Sequence, residues 1–258
     1  MAYSPALAHR QRVLAALAAQ QAGAAAAGPS APPMPETGPV AGEYAQLLIA
    51  LGDDLRRLQD VQSIERKIEA KRALIQRYLP WVDGAIAAGE EAETAPQDEI
   101  VARMLLWAMD VGDWPRALAI AGHVLRHGLA LPQGFTRKPA AAIAEEAAEA
   151  GLKKPTQIDG ETLQQVAALT AEADMHDQIR AKLEKAIALS FAARAEAFDA
   201  EAESAQAGGK AALVSSALEH FRRALGLDQN SGVKKQIERL EAEQRKLAPA
   251  APAQDDAK

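Results

Sequence analysis

The chain is predicted to be an all-α helical bundle, on three observations. Of its 258 residues 61 are alanine, about half of the 48 % hydrophobic content, and alanine is the strongest helix former. Aromatic residues make up only 4 %, and valine and isoleucine are sparse, so a sheet lacks the side chains that favour it. The larger apolar residues recur at spacings of three and four, the period of a helix with one buried face. This length supplies a real core for one medium domain or two small ones, which excludes a wholly disordered or fibrous chain.

A first helix or arm is expected within residues 1–22, roughly Pro5 to Gln21. Residues 23–42 are dominated by Ala, Gly and Pro and read as a linker. Region 43–96 follows, and from Glu43 to about Tyr78 Leu47, Leu51, Leu55, Leu58, Val61, Ile64, Ile68 and Ile75 lay an apolar stripe along one long amphipathic helix. Pro80 ends or kinks it, and Gly84 to Pro96 reads as a loop or an acidic helix end. Region 97–247 is a helical hairpin domain. Asp98 and Glu99 start a helix through Met109, Gly112-Asp113 turns the chain, and Pro115 sits in the first turn of a helix from Trp114 to Leu129. Residues 131–139 form a loop, and helices are expected at about 140–150, 160–173, 177–205, 211–227 and 233–247, with a polar tail over 248–258. Gly112-Asp113-Trp114 before an Ala-rich helix, and the phrase from Ala217 to Leu225, resemble tetratricopeptide units, without a steady repeat along the chain.

Formal net charge is −6, so a uniformly basic nucleic-acid coat is excluded and a local patch is allowed. The absence of cysteine excludes disulfides, thiolate zinc sites and cysteine nucleophiles, and fits a reducing cytoplasm. No apolar run reaches the roughly eighteen residues of a membrane span. The most basic stretch holds Arg56, Arg57, Arg66, Lys67, Lys71, Arg72 and Arg77 against Asp60, Glu65 and Glu69, a local surplus of +4. Cations concentrated this way on a helix neutralise phosphates, or solvate a helix whose apolar stripe self-associates. No aromatic residue interleaves the cations, so single-strand base stacking is not indicated.

Catalytic signals are weak. Asp60, Glu69 and Lys71 have the Asp-x8-Glu-x-Lys spacing of a metal-dependent nuclease, but that spacing works when a sheet aims the groups. His123 and His127 share a helix face at metal-chelating spacing, without the Glu of the metalloprotease pattern or a third ligand. Asp53 with Asp54, Asp110 with Asp113, and Glu145 with Glu146 and Glu149 suit caps, turns and surfaces. Trp81, Trp107 and Trp114 read as core wedges. No glycine-rich phosphate loop is present, so nucleotide-driven work falls to a partner.

Leu79-Pro80-Trp81-Val82, the run from Gln97 through Trp107 to Asp113, Ala117 to Ala121 with Gly128-Leu129, Thr170 to Met175, Arg180 to Leu183, and Gly232 to Glu241 together resemble the terminase small subunit of Peduovirus-type tailed phages. The likeness runs in order from Glu43 to Lys246. It implies binding of phage double-stranded DNA at the packaging site, a large ATPase subunit as partner, a homo-oligomer, and work in the host cytoplasm with no membrane. It also implies a part in endonucleolytic cutting, with catalytic residues that the sequence does not identify. The alternatives are a metal-dependent endonuclease using Mg2+ and a non-enzymatic tetratricopeptide-like adaptor.

Overall fold

The computed structural model describes residues 4–25, 31–153, 157–199 and 208–247. Among them are eleven α-helices, one short 3-10 turn and no strand, so the fold is all-α. The chain divides into two compact units, 1–143 and 144–258, which parts the span 97–247 between them. The polar tail at 248–258 lies outside the described residues.

The first unit contains α1 (Pro5–Ala25), α2 (Gly38–Asp60), α3 (Ile64–Leu74), a 3-10 turn (Ile75–Arg77), α4 (Leu79–Ala92), α5 (Glu99–Val111) and α6 (Trp114–Arg126). The single long helix expected over 43–78 is therefore broken. Val61 leaves α2 in an extended conformation, and the Ser63 hydroxyl accepts from the Arg66 amide at 3.3 Å to cap α3. The cap satisfies a free N–H at the new helix start, and the helical period of the apolar residues runs across the break and hides it. Pro80 lies in the first turn of α4, where its missing N–H costs nothing, and of the two readings of the stretch from Gly84, loop or acidic helix end, the helix end is the one present as far as Ala92. Both ends of the stretch expected as a linker are helical, since Gly23 to Ala25 complete α1 and Gly38 begins α2. Residues 26–30 of it lie outside the described residues.

The core is built around Tyr78, Trp81 and Val82, all fully buried, with Ile100, Met104 and Leu105 of α5 and Ile120 and Val124 of α6. The first helix is no free arm. Leu14, Ala15, Ala18, Ala19 and Ala22 are buried along it, and α1 packs against α4 so closely that a Cβ on Gly84 would lie 2.7 Å from the Arg12 Cα. Buried Glu43 of α2 ties the same helix down, accepting from Gln11 at 3.1 Å and pairing with Arg10 at 3.0 Å. The hairpin of α5 and α6 forms as its turn residues predict: Gly112 is left-handed with φ 75°, and the Asp113 carboxylate accepts from the Arg116 amide.

Most of α7 (Pro139–Lys153) belongs to the second unit, with α8 (Gly160–Leu169), α9 (Asp177–Glu196), α10 (Gly209–Leu227) and α11 (Lys234–Leu247). α8 and α9 end earlier than expected, and residues 200–207 lie outside the described residues. Its core joins Ala188, Ala192, Val214, Leu218, Phe221, Val233, Ile237 and Leu240. Arg180 closes the end of α8, donating to the carbonyls of Thr170 and Ala173. Buried Glu184 accepts from Arg223 at 2.9 Å and meets His220 Nδ1 at 2.6 Å. α10 and α11 pack as a hairpin within the second unit, as α5 and α6 do within the first.

Candidate nucleic-acid interface

The seven cations singled out in the sequence fall into two groups. Arg57 lies 3.6 Å from one oxygen of Asp54, Arg77 donates to the other at 3.1 Å, and the Tyr78 hydroxyl donates to that second oxygen at 2.7 Å. Asp54 is fully buried, so Arg57 and Arg77 neutralise a carboxylate that would otherwise be stranded. Arg72 donates to the carbonyl of Val111 and so closes the C-terminal end of α5. Lys71 pairs with Asp110, also at that end, and Arg56 pairs with Asp53 on its own helix. Arg66 and Lys67 alone of the seven have neither an ion-pair nor a side-chain hydrogen-bond partner among the described residues. They lie on α3, a helix with no fully buried residue, and Arg66 is exposed.

Lys67 also lines an open cleft of about 220 Å³ between the end of α2, α3 and α5, whose apolar wall is Leu55, Leu58, Leu106 and Trp107. Lys71, Asp110, Gln59 and Arg103 supply its polar groups, and Phe135, from the loop after α6, stands at the edge. The Arg103 guanidinium lies 5.7 Å from the centre of the Phe135 ring and donates to Glu99 at 3.1 Å, while its Nε is buried without a partner. Sequence reasoning missed Arg103 and Phe135. A lone arginine inside the apolar run from Ile100 to Trp107 was the available signal for the first, while nothing in the sequence places residue 135 beside α3.

The nuclease-like set does not assemble, since Asp60 ends α2 and Lys71 is engaged with Asp110. No group of three or more His, Asp or Glu side chains able to hold a metal occurs among the described residues. His123 and His127 pack edge to face at 4.7 Å and close on Gly89 of α4, where a Cβ would lie 2.6 Å from His123. They fill the helix crossing. Trp81 Nε1 donates to Asp98 at 2.7 Å, and the other Asp98 oxygen accepts from the amides of Ile100 and Val101, so this pair forms the start of α5. No described helix is long and apolar enough to cross a membrane.

Burial, then the charges of His127 and Arg126, pull His123 down from 6.5 to about 4. Burial pushes Asp98 up from 3.8 to about 6, against the lowering effect of its hydrogen bonds. Between 6.5 and about 4 the unfolded chain holds the extra proton at His123, so stability is lost as pH falls. Between about 6 and 3.8 the folded chain holds the extra proton at Asp98, so stability is gained as pH falls. Each effect amounts to about 3 kcal/mol across its window, and the two oppose. His123→Gln removes only the first. Urea unfolding at about pH 7 and about pH 4 should therefore show the variant gaining about 3 kcal/mol on the wild type in acid, and parallel pH dependences would show that His123 is not held neutral.

Comparison with known proteins adds two relationships. The profile of the family described as Phage small terminase subunit matches residues 48–178. The "Terminase, endonuclease subunit" of Escherichia phage P2 is 37 % identical over 245 residues, covering 93 % of this chain and 85 % of that protein. No solved structure matches.

Proposed function

Because the chain belongs to the phage small terminase subunit family, we propose that it is the DNA-recognition and assembly subunit of a DNA-packaging terminase. In this reading it binds phage double-stranded DNA at the packaging site in the host cytoplasm and works with a large ATPase subunit that drives transfer into the prohead. The observation that carries the DNA contact is α3, which buries none of its own side chains fully and bears Arg66 and Lys67, neither of them paired with a carboxylate among the described residues. Arg56 on α2, 74 % exposed beside Asp53, is a further accessible cation. Such cations contact phosphates and position the protein without reading sequence. A homo-oligomer would repeat the face along the duplex, and Ile49 and Ile64, 68 % and 74 % exposed, are the most exposed of the large apolar side chains open to a second copy. Leu58 is not, since the first unit already covers it.

Arg66→Ala and Lys67→Ala should each weaken binding equally for packaging-site and random duplexes, and should each reduce the slope of log affinity against log salt by about one. Arg77→Ala should instead lower stability, because it exposes the charge of Asp54, and should leave the salt slope in place. Unchanged slopes for the α3 variants would refute the assignment. Purified protein with magnesium and packaging-site DNA, lacking the large subunit, should not cut. Cleavage abolished by one carboxylate substitution would restore the endonuclease reading.

A further inference from the structure

We propose that the cleft between α2, α3 and α5 binds a single unpaired nucleotide, with its base against Phe135 and its phosphate at Lys67 and Arg103. The proposal rests on the reading that the α3 face meets DNA, and it names what the cleft beside that face accepts. Phe135 is 48 % exposed although it is a large apolar side chain, and it sits on the loop after α6. Arg103 lies by that ring, which still leaves ring surface open for a second planar group. Gln59 and Asp110 supply donor and acceptor atoms at the same cleft, the kind of groups that meet the edge of a base.

Three features favour a nucleotide over an apolar ligand. Lys67 has no carboxylate partner among the described residues, so the cleft carries a cation open to an anion. The apolar wall of Leu55, Leu58, Leu106 and Trp107 gives a planar ring a dry floor. Lys67 belongs both to the cleft and to the exposed cationic helix, so a strand whose phosphates follow α3 arrives at the cleft opening. The ring of a base paired in a duplex is covered on both faces by its neighbours and cannot reach Phe135. The ligand is therefore a base outside the stack, at a strand end, a gap or an unpaired tract.

The test is fluorescence anisotropy of the full chain with a labelled blunt duplex, the same duplex carrying a single-stranded thymidine overhang, and a free oligothymidylate. Stacking of one base on an aromatic side chain gives about a tenfold advantage to the overhang duplex over the blunt one. Phe135→Ala should erase that advantage and leave blunt-duplex affinity unchanged, while Phe135→Trp should keep it. Phe135 is exposed, so these changes leave the fold intact, which circular dichroism checks. Equal affinity of wild type for overhang and blunt duplexes, or an advantage that survives Phe135→Ala, overturns the proposal. Should wild type ignore the blunt duplex yet bind oligothymidylate through Phe135, the cleft stands and the duplex reading of α3 fails.

Discussion

Asp98→Ala is expected to destabilise the first unit by about 3 kcal/mol, seen as a lower urea midpoint with an unchanged slope. Two losses combine. The carboxylate accepts from the amides of Ile100 and Val101 at 2.8 and 3.1 Å, and losing a helix cap costs about 1 kcal/mol. Its other oxygen accepts the indole N–H of Trp81, a side chain with no solvent exposure, and a buried donor left unpaired costs a further 1–3 kcal/mol, roughly. Asp98→Asn separates these terms. An amide has one acceptor oxygen, so its NH2 must face either the indole N–H or the helix amides, donor against donor. The variant should therefore recover only part of the loss despite equal size. Full recovery by Asn would show that one of the two contacts contributes little.

Gly84→Ala should cost about 2 kcal/mol, although alanine favours a helix by about 1 kcal/mol over glycine. The added Cβ would meet the Arg12 Cα at 2.7 Å and its carbonyl oxygen at 2.8 Å. Both are backbone atoms, so no side-chain rotation relieves the overlap and α1 must lift off α4. Hydrogen exchange should show the amides of α1 losing protection before those of α5. Gly52→Ala is the control, because its Cβ would touch nothing within 4 Å, and it should raise stability by about 0.5–1 kcal/mol. If both substitutions stabilise, the first helix does not pack as described.

The family was legible in the residues around Trp81, the α5–α6 turn and Arg180 to Leu183, and both comparisons bear it out. The candidate interface was legible only in outline. Composition identified the basic stretch, but a count of cations treats Arg77 and Arg66 alike. Whether an arginine faces solvent or holds a buried carboxylate depends on what the fold brings opposite, and Asp54 is 23 residues away from Arg77. Phe135 is separated from Lys67 by three helices, so its place beside the cations belongs to the tertiary structure alone.

By itself the sequence determined the all-α class and the elements marked by local chemistry: the Asp98 cap, the Gly112-Asp113 turn and the Pro115 start of α6 all act within a few residues of one another. It left three things to the tertiary structure. The break at 61–63 passes unseen because the apolar period continues through it. The docking of α1 rests on alanines meeting Gly84, and small residues carry almost no periodic hydrophobic signal while permitting the closest approach of two helices. The cleft exists only where α2, α3, α5 and the 135 loop converge. Caps and turns are local free energies that a chain segment expresses alone, whereas helix crossings and the pairing of distant charges depend on which surfaces the whole chain can bury at once.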